Sequence, residues 1–346
     1  MNILWIKDNK IGHEKQVKVL LDELSKTNEI TIINDDYLGR IGKYFDWPYE
    51  FFNLLTLNLC QDKLDWIDIL YINKSLDTTR DLQNILNKTI DIDIIIGAGH
   101  GTHSRILYLK KFFSHFNPNN QLKAISILTP TFRKGSFDLI CAPLHDKKKF
   151  KSNDENVIYF EGAISKVFDS PIDKEIGFIG IGGKNSHFKF DDHKIYEQIE
   201  YVLSLYPNKN WYIFNSRRTS TELNKLISTI KFKNYIFVNS TNSVDISYDQ
   251  IIEKASIKFV TQDSINMVYE SLSSNGETIL FNMDYIKKDK VVNQIHQLLN
   301  NKNVGYIEKS YLTDGLKSIK IKNQVNHILF TEVEKLCFKL NNFLKQ

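Results

Sequence analysis

The chain has few cysteines, no long apolar run and no strong excess of either charge. Its three cysteines, Cys60, Cys141 and Cys337, lie far apart and none belongs to a C-x-x-C pair. The sequence therefore predicts neither a disulfide framework nor a zinc site of thiolates, and it is typical of the reducing cytoplasm. Because no stretch of 18 apolar residues occurs, we expect no segment that spans a bilayer.

The amino terminus and the net charge exclude further classes. The opening residues enter a predicted strand directly, without the basic start, apolar run and cleavage site of an exported protein. A net charge of +4 permits attraction to anionic lipid or to a phosphorylated substrate without requiring either. No compact Lys/Arg stripe with interleaved aromatic residues occurs, so nucleic acid is not an expected partner.

The 346 residues, 42% hydrophobic and 25% charged, suffice for two globular domains, and apolar strands alternate with helical patterns in two blocks. In the first block we predict strands at residues 3–6, 30–33, 92–96, 124–128, 139–141 and 157–160, with helices at 13–25 and 79–88. After a Gly/Ser/Pro-containing linker at 161–174, the second block has predicted strands at 176–181, 211–214, 235–238 and 257–261, and helices at 191–205, 219–230, 248–255 and 264–273. A final helix is predicted at 324–344.

This alternation predicts an α/β protein, because strands that are apolar throughout form parallel sheets covered on both faces by helices. We expect two doubly wound, Rossmann-like domains at residues 1–165 and 175–320, with a C-terminal helix in 321–346 that packs back across them. Ligands of such sheets bind at the carboxyl ends of the strands. We therefore expect the two domains to face each other across a ligand-binding cleft.

The most informative segment is VTQDSINMVYESLSSNGETILF, residues 260–281. A strand ends at a polar turn, and an amphipathic helix follows that Asp263 or Ser264 can cap. The free amides of the first turn, including those of Asn266 and Met267, would then form an anion site at the start of the helix.

Glu270 lies one turn further along the same helix. Asp263, Met267 and Glu270 recur at helical spacing, so the Glu270 carboxylate could accept hydrogen bonds from hydroxyl groups of the bound molecule. A phosphate at the helix start and a diol near Glu270 describe a nucleotide. The alternative is an ordinary capped helix with a solvated glutamate.

A turn after the first strand carries candidate catalytic residues. Gly12 permits a sharp turn, which places His13 or Glu14 at the start of the first helix. Histidine titrates near neutral pH and suits a general base, with Asp8 able to orient it. For Glu14 the alternative is that its carboxylate simply favours the positive end of the helix dipole.

Two other strand ends in the first block carry polar residues. Gly99 and His100 belong to a run of three glycines within five residues, which would let the backbone approach a ligand or merely form a tight turn. His145 and Asp146 follow Pro143 at a later strand end, where a proline-fixed turn with an Asx cap is the alternative.

The second block adds a basic group at its first two strand ends. Gly182, Gly183 and Lys184 follow the first strand, and Arg217 and Arg218 follow the second. Glycine-rich backbone with one lysine and paired arginines suits a diphosphate, because guanidinium groups bind phosphate oxygens as a fork. A solvated arginine pair is the alternative.

Metal binding has little support in the sequence. Asp91-Ile92-Asp93 imitates a manganese-binding D-x-D motif, but it opens an apolar strand, where alternate polar residues commonly mark only the strand's edge. We therefore predict no metal site and no cofactor.

An ordered set of motifs resembles one known family. The set comprises Asp8, Gly12-His13-Glu14 and Gln16, Gly97-Ala98-Gly99, Phe137-Asp138-Leu139, Pro143, His145-Asp146, Gly182-Gly183, Ser216-Arg217-Arg218-Thr219, and Thr261 with Asp263-Ser264, Met267 and Glu270. It spans nearly the whole chain and is similar to the mitochondrial-fission ELM-like family of glycosyltransferase-like proteins. The Ser-Arg-Arg-Thr and Asp-Ser-x-x-Met-x-x-Glu pieces are its most specific parts.

The resemblance implies a GT-B architecture without an essential metal. The C-terminal domain would hold a nucleotide-sugar donor, with a residue like Glu270 on the ribose and a helix start like Asp263-Ser264 near the phosphates. The N-terminal domain would hold the acceptor, with His145 or Asp146 in contact with it and Gly99 and His100 on the same side.

We therefore expect a metal-independent glycosyltransferase whose acceptor is a glycolipid or a cell-envelope precursor of the lipopolysaccharide type. An aromatic-rich stretch at residues 44–52 favours a site at the inner face of the cytoplasmic membrane, although core packing explains it nearly as well. The alternatives are a non-catalytic peripheral membrane or assembly protein of the same fold, and a nucleotide-sugar epimerase.

Overall fold

The computed structural model describes residues 1–35, 91–116, 121–152, 154–240, 246–311, 317–323 and 328–345. The chain divides into two compact units. The first comprises Met1–Ile164 and Glu332–Gln346, and the second comprises Ser165–Thr331. The predicted helix at 79–88 and the aromatic stretch at 44–52 lie outside the described residues.

The first unit contains a parallel sheet with the strand order β2-β1-β3-β4-β5-β6. Its strands are β1 Asn2–Ile6, β2 Thr31–Asp35, β3 Ile94–Ala98, β4 Lys123–Ile127, β5 Leu139–Pro143 and β6 Val157–Phe160, and its first two described helices are α1 Ile11–Ser25 and α2 His100–Phe116. Every residue of β3 and β5 is buried, as expected for parallel strands covered on both faces. Leu4, Ile95 and Ile140 lie together in one core cluster of this unit.

The C-terminal helix, Glu332–Leu344, begins later than predicted. Residues 328–331 are not helical, because the Phe330 amide donates to the Leu272 carbonyl (3.0 Å) within the second unit. Glu332 and Glu334 occupy the first turn, where carboxylates favour the helix dipole. The helix packs on α1, and the Asn28 side-chain amide donates to Asn341 Oδ1 (3.0 Å).

The second unit contains a sheet with the order β13-β12-β11-β10-β7-β8-β9. Its strands are β7 Asp173–Gly180, β8 Asn210–Phe214, β9 Tyr235–Val238, β10 Ala255–Val260, β11 Glu277–Leu280, β12 Gly305–Tyr311 and β13 Lys317–Lys322. Its helices are α3 Asp192–Leu205, α4 Thr221–Ser228, α5 Tyr248–Lys254, α6 Ile265–Leu272 and α7 Lys290–Asn300. All strand pairs are parallel except β12 with β13, an antiparallel edge that the sequence patterns did not reveal.

Short polar side chains fix where most helices of this unit begin. Asp191, Ser220, Ser247 and Asp289 each accept a hydrogen bond from a backbone amide of the following helix. Such caps satisfy amides that have no partner within the helix. Among the described residues, no helix combines the length and apolar character needed to cross a membrane.

A fully buried lysine lies on the central strand β10. Lys258 Nζ donates to the Ser274 carbonyl (3.0 Å), to Ser274 Oγ (2.8 Å) and to the Asn275 carbonyl (2.5 Å). Burial lowers the pKa of Lys258 to about 7. These acceptors follow the end of α6, so the lysine fixes the turn between α6 and β11.

We expect Lys258→Met to lower the free energy of unfolding by about 2–3 kcal/mol, because it leaves buried carbonyl groups without a donor. Chemical denaturation checks this. Lys254→Met, at an exposed position on α5, is the control and should change stability little; equal effects of the two substitutions would contradict the assignment.

Candidate functional site

Three loops of the second unit meet around the Asp263 carboxylate. Asp263 Oδ2 accepts a hydrogen bond from the Gly183 amide (2.8 Å) and lies 3.1 Å from Arg218 Nη2. The three residues follow β10, β7 and β8, which are adjacent in the sheet. Because carboxyl ends of adjacent parallel strands lie at one edge, the fold brings these distant residues together.

Side-chain hydroxyl groups also join the same three loops, through hydrogen bonds to the backbone of Gly182. The Gly182 carbonyl accepts hydrogen bonds from Ser216 Oγ (2.8 Å) and Thr219 Oγ1 (2.5 Å). The Gly182 amide donates to Thr261 Oγ1 (2.8 Å). We call Gly182, Gly183, Ser216, Arg218, Thr219, Thr261 and Asp263 the loop cluster. Its members hold one another in place before any ligand binds.

The expectation that Asp263 or Ser264 caps α6 is wrong. Ser264 is the N-cap residue, but its side chain makes no capping hydrogen bond, and Asp263 binds Gly183 and Arg218 instead. Burial raises the pKa of Asp263 despite the opposing effects of the Gly183 amide, Thr261 and Arg218, and its Oδ1 atom is buried without a hydrogen-bond partner among the described residues. The first-turn amides of α6 therefore keep their capacity to bind an anion.

The two glycines are required by the protein's own packing. A Cβ atom on Gly182 would lie 2.2 Å from Asp263 Oδ2, and one on Gly183 would lie 2.1 Å from the Arg218 carbonyl oxygen. From the sequence, we predict that these glycines form part of a diphosphate site. The structure shows that they first allow close approach of the neighbouring loops.

The other basic residues of this edge are exposed. Arg217 and Lys184 are both exposed, and the Arg218 side chain is 44% exposed although Asp263 beneath it is fully buried. Arg218 Nη1 also donates to the carbonyl groups of Gly183 (3.3 Å) and Lys184 (3.4 Å), so both terminal nitrogens of the guanidinium group are held by the protein. The exposed part of this positively charged group can still attract an anion.

Farther along α6, Glu270 is paired with a tyrosine that sequence analysis missed. Tyr248 donates to Glu270 Oε2 (2.7 Å). Burial and the Glu270 charge raise the pKa of Tyr248 well above 10, so it remains a donor. Phe178 and Phe214 pack edge-on against the Tyr248 ring, with ring centroids 5.4 and 5.3 Å from its centroid. Tyr248 opens a predicted helix, but no local pattern signals its partner on another helix.

Two further α6 residues of the sequence prediction differ in exposure. Met267 is buried, and its sulfur occupies the space beside Gly180, where an added Cβ would lie only 2.4 Å away. It therefore packs the helix onto β7. Asn266, in the first turn, is partly exposed. Met267 is a packing residue, and Asn266 remains available to a ligand.

In the first unit, Asp8 and His13 form a pair. His13 Nδ1 lies 2.9 Å from Asp8 Oδ2. Burial opposes ionisation of Asp8, but the hydrogen bond and charge of His13 and the Lys10 amide hold its pKa below the ordinary value. The ring packs against Gly99, where an added Cβ would lie 2.3 Å from His13 Cε1 and where φ is +81°. Residues after β1 and β3 thus share one site.

The turn before α1 is made differently from the prediction. Asn9 adopts a left-handed conformation (φ 59°), which asparagine tolerates better than most residues. The helix begins at Ile11, so Gly12 lies inside its first turn and does not form the bend. Glu14, in the same turn, has its Oε1 atom buried without a hydrogen-bond partner among the described residues.

A second histidine near the Asp8–His13 pair, His103, is not among the site residues predicted from the sequence. His103 Nε2 lies 2.9 Å from Ser126 Oγ, and burial lowers the pKa of His103 to about 3, which keeps it neutral. His100, at the start of α2, is exposed. Its spacing of three residues from His103 was visible in the sequence, but burial of only one of them depends on packing.

His145 and Asp146 lie apart from the Asp8–His13 pair. They follow β5, which is separated from β1 by β3 and β4, so about 14 Å of sheet intervenes. Asp146 Oδ1 is 2.8 Å from Lys149 Nζ and 3.8 Å from His145 Nε2. The two residues share the sheet edge with the pair but not its hydrogen bonds.

The D-x-D motif, Asp91-Ile92-Asp93, has a structural role at the amino end of the strands of the first sheet. Asp93 Oδ2 accepts from the Asn2 amide (2.7 Å), and the Asp91 carbonyl accepts from the Asn2 side chain (2.7 Å). These contacts join β1 to the start of β3. Over the described ranges, no group of three or more His, Cys, Asp or Glu side chains is arranged to hold a metal ion.

Comparison with known proteins identifies a family and a fold. The family model described as mitochondrial fission ELM1 matches residues 11–321. The UDP-GlcNAc 2-epimerase of Neisseria meningitidis, solved bound to UDP-GlcNAc, is 12% identical over the whole of both chains, with a TM-score of 0.51. The ADP-heptose lipopolysaccharide heptosyltransferase II of E. coli is 10% identical over 100% of this chain and 99% of that chain, with a TM-score of 0.47. No curated protein matches this chain by sequence.

These findings confirm the predicted fold class. Both units of the chain are Rossmann-like, and the chain has the GT-B-like fold of its structural relatives. At such low identity the likeness extends to the fold alone.

We expect Gly183→Ala to destabilise the protein by about 1–3 kcal/mol, because the new methyl group would overlap the Arg218 backbone. Thermal or chemical unfolding measures the effect. Gly135→Ala is the matched control, since an added Cβ there meets no atom within 4 Å. A Gly183 variant as stable as the control would contradict the tight loop packing.

Proposed function

This chain belongs to the mitochondrial fission ELM1 family, and from that premise we propose that it is a metal-independent glycosyltransferase. It moves a sugar from a nucleotide-sugar donor to a glycolipid or a cell-envelope acceptor of the lipopolysaccharide type. The observation that carries the proposal is the loop cluster, which fixes Arg218 beside the uncapped start of α6. That arrangement is suited to a diphosphate.

The second unit would hold the donor. Arg218, Arg217 and Lys184 supply positive charge, and the first-turn amides of α6, including that of Asn266, supply further donors. Because Asp263 already orients Arg218, little side-chain freedom is lost when the phosphate binds. Charge that grows on the leaving diphosphate would be stabilised by the same groups.

The ribose would bind farther along α6. Glu270 lies six positions after Ser264, a rise of about 9 Å along a helix, which suits a nucleotide with its phosphate at the helix start. One Glu270 oxygen is engaged by Tyr248, and a carboxylate can accept further hydrogen bonds from a diol.

The first unit would bind and activate the acceptor. Asp8 holds His13 by its Nδ1 atom, so Nε2 is the nitrogen that removes the proton from an acceptor hydroxyl. The hydroxyl oxygen then bonds to the anomeric carbon as the bond from that carbon to the diphosphate breaks. The nucleoside diphosphate leaves with the bonding electrons. Glu14 is a second candidate base.

The acceptor would bind around the Asp8–His13 pair of the first unit. Gly99 and His100 would border the acceptor near His13, and His145 and Asp146 would contact a more distant part of it. A lipid-linked acceptor would place the protein at the inner face of the cytoplasmic membrane. Residues 44–52, the aromatic stretch that favours this location, lie outside the described residues.

A second candidate is a nucleotide-sugar epimerase, favoured by the epimerase that shares this fold. An epimerase converts its nucleotide sugar without an acceptor, whereas a transferase releases nucleoside diphosphate as it glycosylates one. Chromatography of the products with and without a membrane-lipid extract separates the two activities.

We expect isothermal titration to detect binding of at least one of UDP, ADP and GDP. Loss of charge-assisted hydrogen bonds in Arg218→Ala should weaken that binding about 10- to 100-fold, and Glu270→Gln should weaken it less. Lys225→Ala, at an exposed position on α4, is the control. If none of the three nucleotides binds, or if Glu270→Gln keeps full affinity, the donor site is wrongly assigned.

We expect His13→Ala to reduce the rate of glycosyl transfer to lipid extract about 10²- to 10⁴-fold, the usual contribution of a general base. Its affinity for the nucleotide should not change, because His13 lies in the first unit. In cells whose growth requires this protein and that lack it, the variant should fail to restore growth. Full restoration would instead favour a binding protein that lacks catalysis.

A further inference from the structure

Beyond the loop cluster, the segments that follow β7 and β11 run side by side. The Lys189 amide donates to the Asp284 carbonyl (2.8 Å), and the Ile286 amide donates to the His187 carbonyl (2.7 Å). Phe188 and Tyr285 form an antiparallel bridge between the same segments. We call residues 187–189 and 284–286 the paired loops.

A histidine and an aspartate fasten the paired loops at one end. His187 Nδ1 lies 2.6 Å from Asp289 Oδ2. The other oxygen of Asp289 accepts from the amides of Val291 and Val292 at the start of α7. The loop that begins with Gly182 and Gly183 is therefore held at both ends, by Asp263 near its start and by Asp289 farther along.

A concave surface borders the paired loops and the start of α3. Its polar lining includes Lys189, Lys194, Asn282 and Asp284, and its apolar lining is formed by Ile195 and Met283. Lys194 Nζ and Asp284 Oδ2 are 3.5 Å apart. Amide, carboxylate and ammonium groups beside an apolar patch suit a hydroxylated ring, which presents both polar edges and apolar faces.

Hydrogen bonds fix this surface next to the loop cluster. Gln262, the neighbour of Asp263, donates from Nε2 to the Phe281 carbonyl (2.7 Å). The backbone of the next residue, Asn282, is held by Gln198 through its amide (2.6 Å) and its carbonyl (3.1 Å). These bonds occupy the main chain of Asn282, which is one of the residues that line the concave surface.

The surface and the Glu270–Tyr248 pair lie on opposite sides of the start of α6. Tyr248 packs on Phe178 of β7 and Phe214 of β8. Asn282 follows β11, which lies on the other side of β10 in the strand order β11-β10-β7-β8. By strand order, the tyrosine pair lies on the β7–β8 side, Arg218 reaches from the loop after β8 to Asp263 beside the start of α6, and the concave surface lies on the β11 side.

We propose that the concave surface binds the sugar of the nucleotide-sugar donor, with Asn282 and Asp284 contacting its hydroxyl groups. This inference rests on the proposed function. The diphosphate of a nucleotide sugar lies between the ribose and the sugar. With the ribose at Glu270 and the diphosphate at Arg218, the sugar falls on the β11 side. Asn282 and Asp284 then determine which sugar is accepted.

Isothermal titration tests this with two kinds of ligand for each protein, a nucleoside diphosphate and its sugar conjugate. The ligands are UDP, ADP and GDP, and their sugar conjugates UDP-GlcNAc, ADP-glucose and GDP-mannose. Asn282→Ala and Asp284→Ala should each weaken binding of the preferred conjugate about 5-fold, the effect of one lost hydrogen bond. Both should leave affinity for the corresponding diphosphate unchanged. Arg218→Ala should weaken both ligands.

The control is His193→Ala, because His193 is exposed on α3 and pairs with the exposed Glu222 (3.4 Å). Thermal unfolding of every variant separates lost binding from lost folding. Equal affinity of the Asn282 and Asp284 variants and wild type for the conjugate would overturn the sugar site, as would equal weakening of both ligands. Failure of wild type to bind any diphosphate or conjugate would overturn the proposed function, and the sugar site with it.

Discussion

The ion pair and hydrogen bond of Asp263 organise the second unit's carboxyl edge. Its carboxylate is fully buried, and such a group is costly unless neighbouring donors compensate for the lost hydration. The Gly183 amide and Arg218 supply that compensation, which fixes the loops after β7 and β8 to the turn after β10. Because Asp263 is used in this way, it does not cap α6. The uncapped helix start and the oriented guanidinium group follow from one interaction.

The first unit uses the same principle with a different pair. Asp8 is ionised and bound to His13, whose ring leaves room for no side chain larger than hydrogen at Gly99. A turn after β1 and a turn after β3 are thereby locked together. In the second unit the carboxylate itself joins loops from separate strands, whereas in the first unit it orients His13, whose ring contacts the turn after β3; in each case a glycine allows the close approach. Arg218 and His13, the groups proposed to act on a ligand, take part in these contacts.

Membership of the ELM1 family and the GT-B-like fold limit the reactions worth considering, but neither identifies a substrate. The groups at and near the carboxyl edge of the second sheet favour the proposed nucleotide-sugar donor. A tyrosine–glutamate pair, a helix start with an oriented arginine, and a concave polar surface follow one another. Each group matches one part of such a donor.

The sequence by itself determined the strand and helix alternation, because apolar periodicity and capping residues act locally; the strand at Tyr235–Val238 and the start of α3 after Asp191 are examples. It also located Asp263, Arg218 and His13 at strand ends. Only tertiary structure decided that Asp263 binds Arg218, that Tyr248 meets Glu270, and that His103 is buried while His100 is exposed. Local patterns reveal which positions are polar, but partners distant in sequence depend on strand order and packing across the sheet.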